Sequence, residues 1–193
     1  MNQHHIFFAV SVLGGKLSGF AAVRTDEKGA VEVRFDTRAN DTDAIPLVQS
    51  IENMRRKILD GQTDRYVLVS HFTGPTERIF AAACKEAGVE VPFKKGVPWG
   101  DTAQLVWPYL MGGAIESRNL EPVARYFAVE CPHDRSAKDE AQIVADLYFK
   151  LMWRLSKVEG IESQGRQVFT DLVGSLFGMA GTRDVPPPIE NGR

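Results

Sequence analysis

The sequence predicts a mixed α/β domain in which an antiparallel sheet comes first and helices dominate later. Three short runs rich in apolar, β-branched and aromatic residues open the chain, with turn residues between them, at 6–13, 17–25 and 30–36. A helical repeat of apolar residues follows at 45–58, and a continuous apolar run at 66–71 is typical of a buried parallel strand. A meander, a crossover helix, a further strand and then helices together indicate a mixed sheet flanked by helices.

The middle of the chain is predicted to be mostly helical. Pro75, Asp101 and Asn119 each stand where a helix begins, because proline suits the first helical turn and Asp or Asn side chains cap its free N–H groups. The helix that follows Asp101 is predicted to continue through Tyr109. A longer apolar repeat predicts a final helix at about 137–157.

The character of the chain changes after Gly160. A short apolar segment is followed by an end that contains three consecutive prolines, Pro186 to Pro188, which favours an extended conformation. We therefore assign residues 1–159 to one domain, and residues 160–193 to a C-terminal apolar segment with a proline-rich tail.

Composition narrows the functional classes. The chain of 193 residues has a net charge of −2, so any nucleic-acid binding needs a local basic patch. Its two cysteines, Cys84 and Cys131, form no C-x-x-C motif, which argues against a zinc site or a disulfide framework and favours a reducing compartment. No basic region precedes the first apolar run, and no apolar stretch approaches the roughly 18 residues of a membrane span. We expect a soluble, cytoplasmic protein with no membrane association.

Four segments, taken in order, carry a resemblance to a known family. They are 68–71 (LVSH), 100–105 (GDTAQL), 119–127 (NLEPVARYF) and 140–148 (EAQIVADLY). Their order and spacing resemble the DEDDh (DnaQ-like) 3′–5′ exonucleases over roughly 7–155. The resemblance implies an RNase H-like fold, with three antiparallel strands plus parallel strands in one mixed sheet.

The resemblance also implies a definite chemistry. In that family, carboxylates from three separate motifs bind two divalent metal ions, because Mg²⁺ and Mn²⁺ prefer hard oxygen ligands. A histidine then acts as general base on the attacking water. The test of function is whether those groups are present in this chain.

The first motif, D-x-E on the opening strand, has no carboxylate here. Aligned by Gly14, its two acidic positions are occupied by Ala9 and Ser11. Neither side chain can replace an anionic metal ligand. The first acidic residue of the chain is Asp26, which the hairpin pattern assigns to a turn.

The second motif, H-N-x-x-F-D, is also altered. Spacing from His71 places Thr76 at the acidic position, whereas spacing back from Phe80 places Glu77 there. An acid in the first turn of a helix is common because it interacts favourably with the helix dipole, and we favour that interpretation of Glu77. His71 is expected to be a strand-end residue with a hydrogen-bonded ring.

The third motif, H-x-A-x-x-D, fits in two registers. One places Arg135 at the histidine position and Glu140 at the acidic position; the other uses Asp139 and puts Asp134 at the histidine position, with His133 one residue away. Neither register supplies both the histidine and the aspartate. Asp139 and Glu140 are also typical first-turn acids of a helix.

The motif positions Ala9, Ser11, Thr76 and Arg135 therefore predict a degenerate active site. We expect no catalytic residues, no bound metal and no cofactor, and favour a pseudoenzyme that serves as a nucleic-acid-binding or scaffolding module. A rival hypothesis is a divergent, active 3′–5′ exonuclease that uses Mg²⁺ or Mn²⁺. Its candidate catalytic residues are Glu77, His133, Asp139 and Glu140.

Two further features concern binding partners. Basic residues at 55–57 and 94–95, the second group near Trp99, have a composition that binds single-stranded nucleic acid, although a solvated surface is the simpler interpretation. An apolar stripe within 164–179 is typical of an amphipathic helix that docks on a protein partner. A third hypothesis is therefore a protein-binding subunit that acts through this segment.

Overall fold

The computed structural model describes residues 4–26, 28–38, 46–59 and 66–156. The strands in this part of the chain are β1 (His4–Leu13), β2 (Lys16–Thr25), β3 (Val31–Arg38), β4 (Tyr66–Ser70) and β5 (Trp99–Asp101). They form a five-stranded sheet in the order β3-β2-β1-β4-β5. β1, β2 and β3 pair antiparallel, whereas β1 pairs with β4, and β4 with β5, in parallel. The predicted mixed sheet is confirmed.

Helices flank this sheet. They are α1 (Leu47–Leu59), α2 (Thr73–Glu86), α3 (Thr102–Leu105), α4 (Trp107–Met111), α5 (Leu120–Tyr126) and α6 (Ala137–Ser156). The helix predicted after Asp101 is two short helices, because the chain breaks at Val106 and Pro108 begins a new turn in α4. The strand β5 was not predicted, since three residues are too few for a periodic pattern.

The alternation of β1 side chains builds two apolar layers. Phe8 points to the layer that α1 and α2 cover, where its ring contacts those of Phe20, Phe80 and Phe93 at centroid distances of 4.8 to 6.1 Å. Phe7 points to the opposite layer, where it packs on Tyr148 of α6. Successive residues of a strand face opposite sides, so one short strand anchors both layers.

The end of α5 offers a stability prediction. Ala128 has a φ of 52°, and its N–H donates to the Arg125 carbonyl while the Val129 N–H donates to the Ala124 carbonyl, the paired bonds of a Schellman motif. Glycine adopts this left-handed conformation without strain. We expect Ala128→Gly to raise the free energy of unfolding by roughly 0.5–1 kcal/mol, after allowance for the greater freedom of glycine in the unfolded chain.

Urea denaturation followed by circular dichroism measures this change. Ala82, exposed within α2, provides the matched control, because Ala82→Gly should lower the free energy of unfolding by about 1 kcal/mol. A loss of stability in Ala128→Gly would contradict the prediction.

The C-terminal segment, including the apolar stripe within 164–179, lies outside the described residues. Among the helices that are described, none combines the length and the apolar character needed to cross a membrane.

Candidate functional site

A cavity of about 500 Å³ opens where β4 ends, beside residues 8–10 in the middle of β1. The carboxyl ends of neighbouring parallel strands meet at one edge of a sheet, which is where ligands bind in open α/β folds. Residues from the middle of β1, from the end of β4, from α2, α5 and α6, and from the loops before α5 and α6 line it: Phe8, Ala9, Val10, His71, Phe72, Thr76, Glu116, Asn119, Leu120, Glu121, Pro122, Arg125, Arg135, Glu140 and Val144.

Four of the sequence-predicted positions come together in this cavity. Ala9, Thr76, Arg135 and Glu140 all line it, although they are distributed over most of the domain in sequence. Ser11 is not among the lining residues and lies further along β1, opposite Gly19 of β2. The altered positions of all three motifs are thus represented in one place.

An ion pair dominates the charge of the cavity. Arg135 Nε donates to Glu140 Oε1 at 3.1 Å, and both side chains are partly buried. Burial raises the pKa of Glu140, while the Arg135 guanidinium acts in the opposite direction. Glu140, the candidate metal ligand that lines the cavity, is therefore already paired with a cation.

Three polar residues of the cavity were missed from the sequence. Glu116 and Glu121 line it, as does Arg125, whose Nη2 donates to Glu121 Oε1 at 3.0 Å. The spacing of Glu121 and Arg125 in the sequence does indicate a helical ion pair. No local sequence pattern shows that α5 faces the cavity, because the loop before α5 determines its placement.

His71 follows β4 directly, and both of its ring nitrogens are engaged. Nε2 lies 2.6 Å from the Arg118 carbonyl oxygen, and Nδ1 lies 2.8 Å from Thr102 Oγ1. A carbonyl can only accept, so Nε2 carries the proton, and in the neutral ring Nδ1 accepts from the threonine hydroxyl. Burial lowers the pKa of His71, against the opposing effects of the Arg118 carbonyl and the Asp101 charge. A ring held this way ties the β4 end to the loop before α5.

Asp101 holds the start of α2 against the start of α3. Its Oδ1 accepts from the Phe72 N–H at 3.0 Å and from the Ala103 N–H at 2.9 Å, and its Oδ2 accepts from the Thr73 N–H at 3.2 Å. Phe72 has a φ of 56°, a left-handed conformation that is costly for a residue with a side chain. The three bonds to one carboxylate keep the chain in this bend at the edge of the cavity.

The other candidate residues lie elsewhere. Glu77 follows Thr76 directly in α2, but its side chain lines a separate groove. Asp139 Oδ2 accepts from the Ser136 N–H at 2.9 Å and from its hydroxyl at 2.7 Å, an N-terminal cap of α6. His133 is exposed and does not line the cavity. These three residues do not join Glu140 in one cluster.

The donor groups present do not fit a pair of magnesium ions. Within the described ranges, no three His, Cys, Asp or Glu side chains stand close enough together to hold a metal ion. Both Glu121 and Glu140 are paired with arginines, and Ala9 and Thr76 offer no anionic oxygen. Hard cations need several oxygen ligands and compensation of their charge.

The buried histidines predict a pH dependence of stability. Burial lowers the pKa of His5, which packs between Phe7 and the α6 rings, as it lowers that of His71. The unfolded chain therefore binds more protons below its ordinary histidine pKa, so the free energy of unfolding falls as pH decreases from about 6.5. Each histidine contributes at most about 1.4 kcal/mol per pH unit.

Denaturant titrations between about pH 7.5 and about pH 5.5 measure that slope. His5→Phe preserves the ring contacts and should make the slope shallower. His133→Gln, at an exposed position, is the matched control and should leave the slope as it is. Equal slopes for the wild type and His5→Phe would contradict the prediction.

Comparisons with known proteins bear on the fold. No protein-family model and no curated protein sequence matches the chain. Among solved structures, it is similar to the nuclease domain of 3'hExo, a DEDDh family member, in a crystal structure with bound rAMP. The TM-score is 0.57 at 12% sequence identity, and the match covers 79% of this chain and 92% of that domain. The described domain has the RNase H-like fold of a DEDDh nuclease domain.

Proposed function

We propose that this chain is a binding module with an exonuclease fold, which holds the end of a nucleic-acid strand without hydrolysing it. The observation that carries the proposal is the Arg135–Glu140 ion pair, 3.1 Å long, in the cavity that Ala9 and Thr76 also line. In the register that uses Glu140, Arg135 takes the histidine position of the third motif, and Ala9 takes a metal-ligand position of the first. The cavity keeps a binding surface but has lost the charge pattern of hydrolysis.

Metal-dependent hydrolysis would require a different set of side chains. Two-metal nucleases stabilise the attacking and leaving oxygens with ions that carboxylates hold in place. In this cavity, the guanidinium of Arg135 neutralises the partly buried Glu140 and would repel an incoming cation. The proposal is therefore a pseudoenzyme, with no resident metal.

The remaining groups suit a phosphate-bearing ligand. The volume of about 500 Å³ lies in the usual range for a small-molecule site. The exposed Arg125 and the partly buried Arg135 provide planar donors of the kind that bind phosphate oxygens. The nuclease domain of 3'hExo was solved with rAMP, a phosphate-bearing nucleotide, which supports a nucleotide at the end of a strand as the ligand here.

The experiment combines calorimetry with a degradation assay. Mg²⁺ and Mn²⁺ are titrated into the protein, while single-stranded DNA and RNA labelled at the 5′ end are incubated with each metal. We expect no heat of metal binding and intact oligonucleotides. Shortening from the 3′ end that depends on metal would contradict the proposal.

Binding without cleavage is measured by the fluorescence anisotropy of labelled single strands. Removal of both cationic side chains in Arg125→Ala/Arg135→Ala should weaken binding about tenfold or more, since charged hydrogen bonds to phosphate are lost. Arg78→Ala, on the exposed surface of α2 and outside the cavity, is the matched control. If Arg125→Ala/Arg135→Ala and Arg78→Ala bound single strands equally well, the cavity would not be the binding site.

An active exonuclease is the second candidate, and one observation favours it. Three glutamates, Glu116, Glu121 and Glu140, line the same cavity, more carboxylates than the motifs alone indicate. Mg²⁺ or Mn²⁺ would then be required, and Glu140→Ala would abolish the shortening of single strands.

The compartment we propose is the cytoplasm. Cys84 is buried and Cys131 is partly buried, and both are free thiols. Free cysteines suit a reducing environment. Expression of a fusion with a fluorescent protein, followed by fractionation, tests this assignment.

A further inference from the structure

A second, larger groove lies apart from the cavity. Its volume is about 1370 Å³, and it runs between α1, α2 and the segment 89–97 that leads to β5. No residue lines both sites. Small-molecule sites usually occupy about 300–1,000 Å³, so an open groove of this size suits a stretch of polymer better than a small ligand.

The groove brings together two basic clusters that are distant in sequence. Arg55 and Arg56 approach it from α1, and Lys94 and Lys95 approach it from the segment before β5. Arg56 is held by a hydrogen bond from its Nη2 to Asn53 Oδ1 at 2.6 Å, whereas Arg55 and Lys95 have no ion pair within the described part of the chain. The two basic patches, which are separate in the sequence, therefore line the same groove in the structure.

The floor of the groove is aromatic, and three of its four rings are buried, whereas Trp99 is partly exposed and packs edge-on against Phe93. Tyr66, Phe80 and Phe93 are only 1% to 8% exposed, because they belong to the core around Phe8. The Tyr66 hydroxyl accepts from the Lys94 N–H at 3.1 Å, which fixes the basic segment to the sheet. The groove is therefore built on the rigid core of the domain.

The most exposed of the large apolar side chains at the groove are aliphatic. Val48 on α1 is 48% exposed and Val91 on the opposite wall is 40% exposed, both at the groove. Exposed aliphatic side chains can pack against the apolar side chains of a partner, and the cations beside them can pair with its carboxylates.

These observations distinguish between two polymers. Proteins that bind single-stranded nucleic acid use exposed ring faces for base stacking and a continuous cationic track for phosphates. Here only one of the four lining rings, that of Trp99, is even partly exposed, and three acids, Glu52, Glu77 and Glu90, also line the groove and would repel phosphates. A peptide tolerates mixed charge, since its own basic and acidic groups can be placed to match.

We infer that this groove is a docking site for a peptide segment of a partner protein, in which apolar side chains are flanked by acidic residues. The apolar side chains pack against Val48 and Val91, and the acidic ones pair with Arg55, Arg56 and Lys95. The site is independent of the proposed strand-end cavity. A single module could then join a nucleic-acid end to a protein partner.

The test uses a random peptide display library selected against the full chain. We expect enriched peptides to combine leucine, isoleucine or phenylalanine with glutamate or aspartate. A synthetic peptide of the enriched sequence should lose affinity at least about tenfold for Arg55→Glu/Arg56→Glu. Lys57→Glu, on the same helix but outside the groove, is the matched control and should change affinity less than about twofold.

A second variant separates docking from folding. Val91→Asp changes an exposed side chain, so the fold should be kept, as circular dichroism can verify, while peptide affinity falls. An absence of enrichment, enriched peptides without acidic residues, or equal effects of Arg55→Glu/Arg56→Glu and Lys57→Glu would overturn the inference.

Oligothymidylate is the competing probe. If its binding were lost in Arg55→Glu/Arg56→Glu, the groove would be a nucleic-acid site and the peptide inference would be wrong. Failure of the cavity proposal is distinct, because it would appear in Arg125→Ala/Arg135→Ala and in the degradation assay.

Discussion

Replacement of Asp101 by alanine is expected to lower the free energy of unfolding by roughly 3 kcal/mol, because three backbone N–H groups lose a charged acceptor at once. Those donors belong to Phe72, Thr73 and Ala103. Without the carboxylate, the left-handed bend at Phe72 loses the bonds that the Phe72 and Thr73 N–H groups make to it. Urea denaturation followed by circular dichroism measures the loss.

Asp101→Asn is the matched control for that experiment. The asparagine carbonyl oxygen can accept the two bonds made by Oδ1, but its amide nitrogen cannot accept from the Thr73 N–H. We expect its loss of stability to be clearly smaller than that of the alanine variant. If the two variants were equally stable, the hydrogen bonds of Asp101 would not be the cause.

Phe8→Ala is expected to have the largest effect on stability, a loss of about 4 kcal/mol. Phe8 is fully buried, and its ring contacts Phe20, Phe80, Phe93 and Trp99. Its removal leaves a void among rings that come from four different elements of the chain, so the neighbours cannot collapse into it together. Chemical denaturation at a single temperature gives the value.

Phe8→Leu tests whether volume is the cause. A leucine fills most of the space and should cost less than half as much as alanine. Phe8 also lines the cavity, so the alanine variant should weaken single-strand binding as well. A fully stable Phe8→Ala protein would contradict the packing described for this layer.

The sequence was most informative where patterns are local. The three opening strands and α6 follow from the periodicity of apolar residues, and the structure has them within a few residues of the predicted bounds. Short elements such as β5 are determined by their neighbours, since a three-residue strand forms only when β4 is there to pair with it. No local pattern can reveal that.

In the candidate site too, some features follow from local sequence patterns and others do not. Thr76 and Glu77 were competing positions, and one step along a helix turns the side chain by about 100°, so Thr76 lines the cavity while Glu77 lines the groove. The pairing of Arg135 with Glu140 depends on the turn before α6. That turn follows no periodic pattern, which is why the sequence offered two registers and no basis for choosing between them.

The ion pair in the cavity also constrains how this chain can change. If Arg135 became histidine, Glu140 would be left buried without its cation, and such a loss commonly costs several kcal/mol. If Ala9 became aspartate first, the new carboxylate would be desolvated, because Ala9 is only 6% exposed. Each of these two single changes is therefore expected to lower the free energy of unfolding.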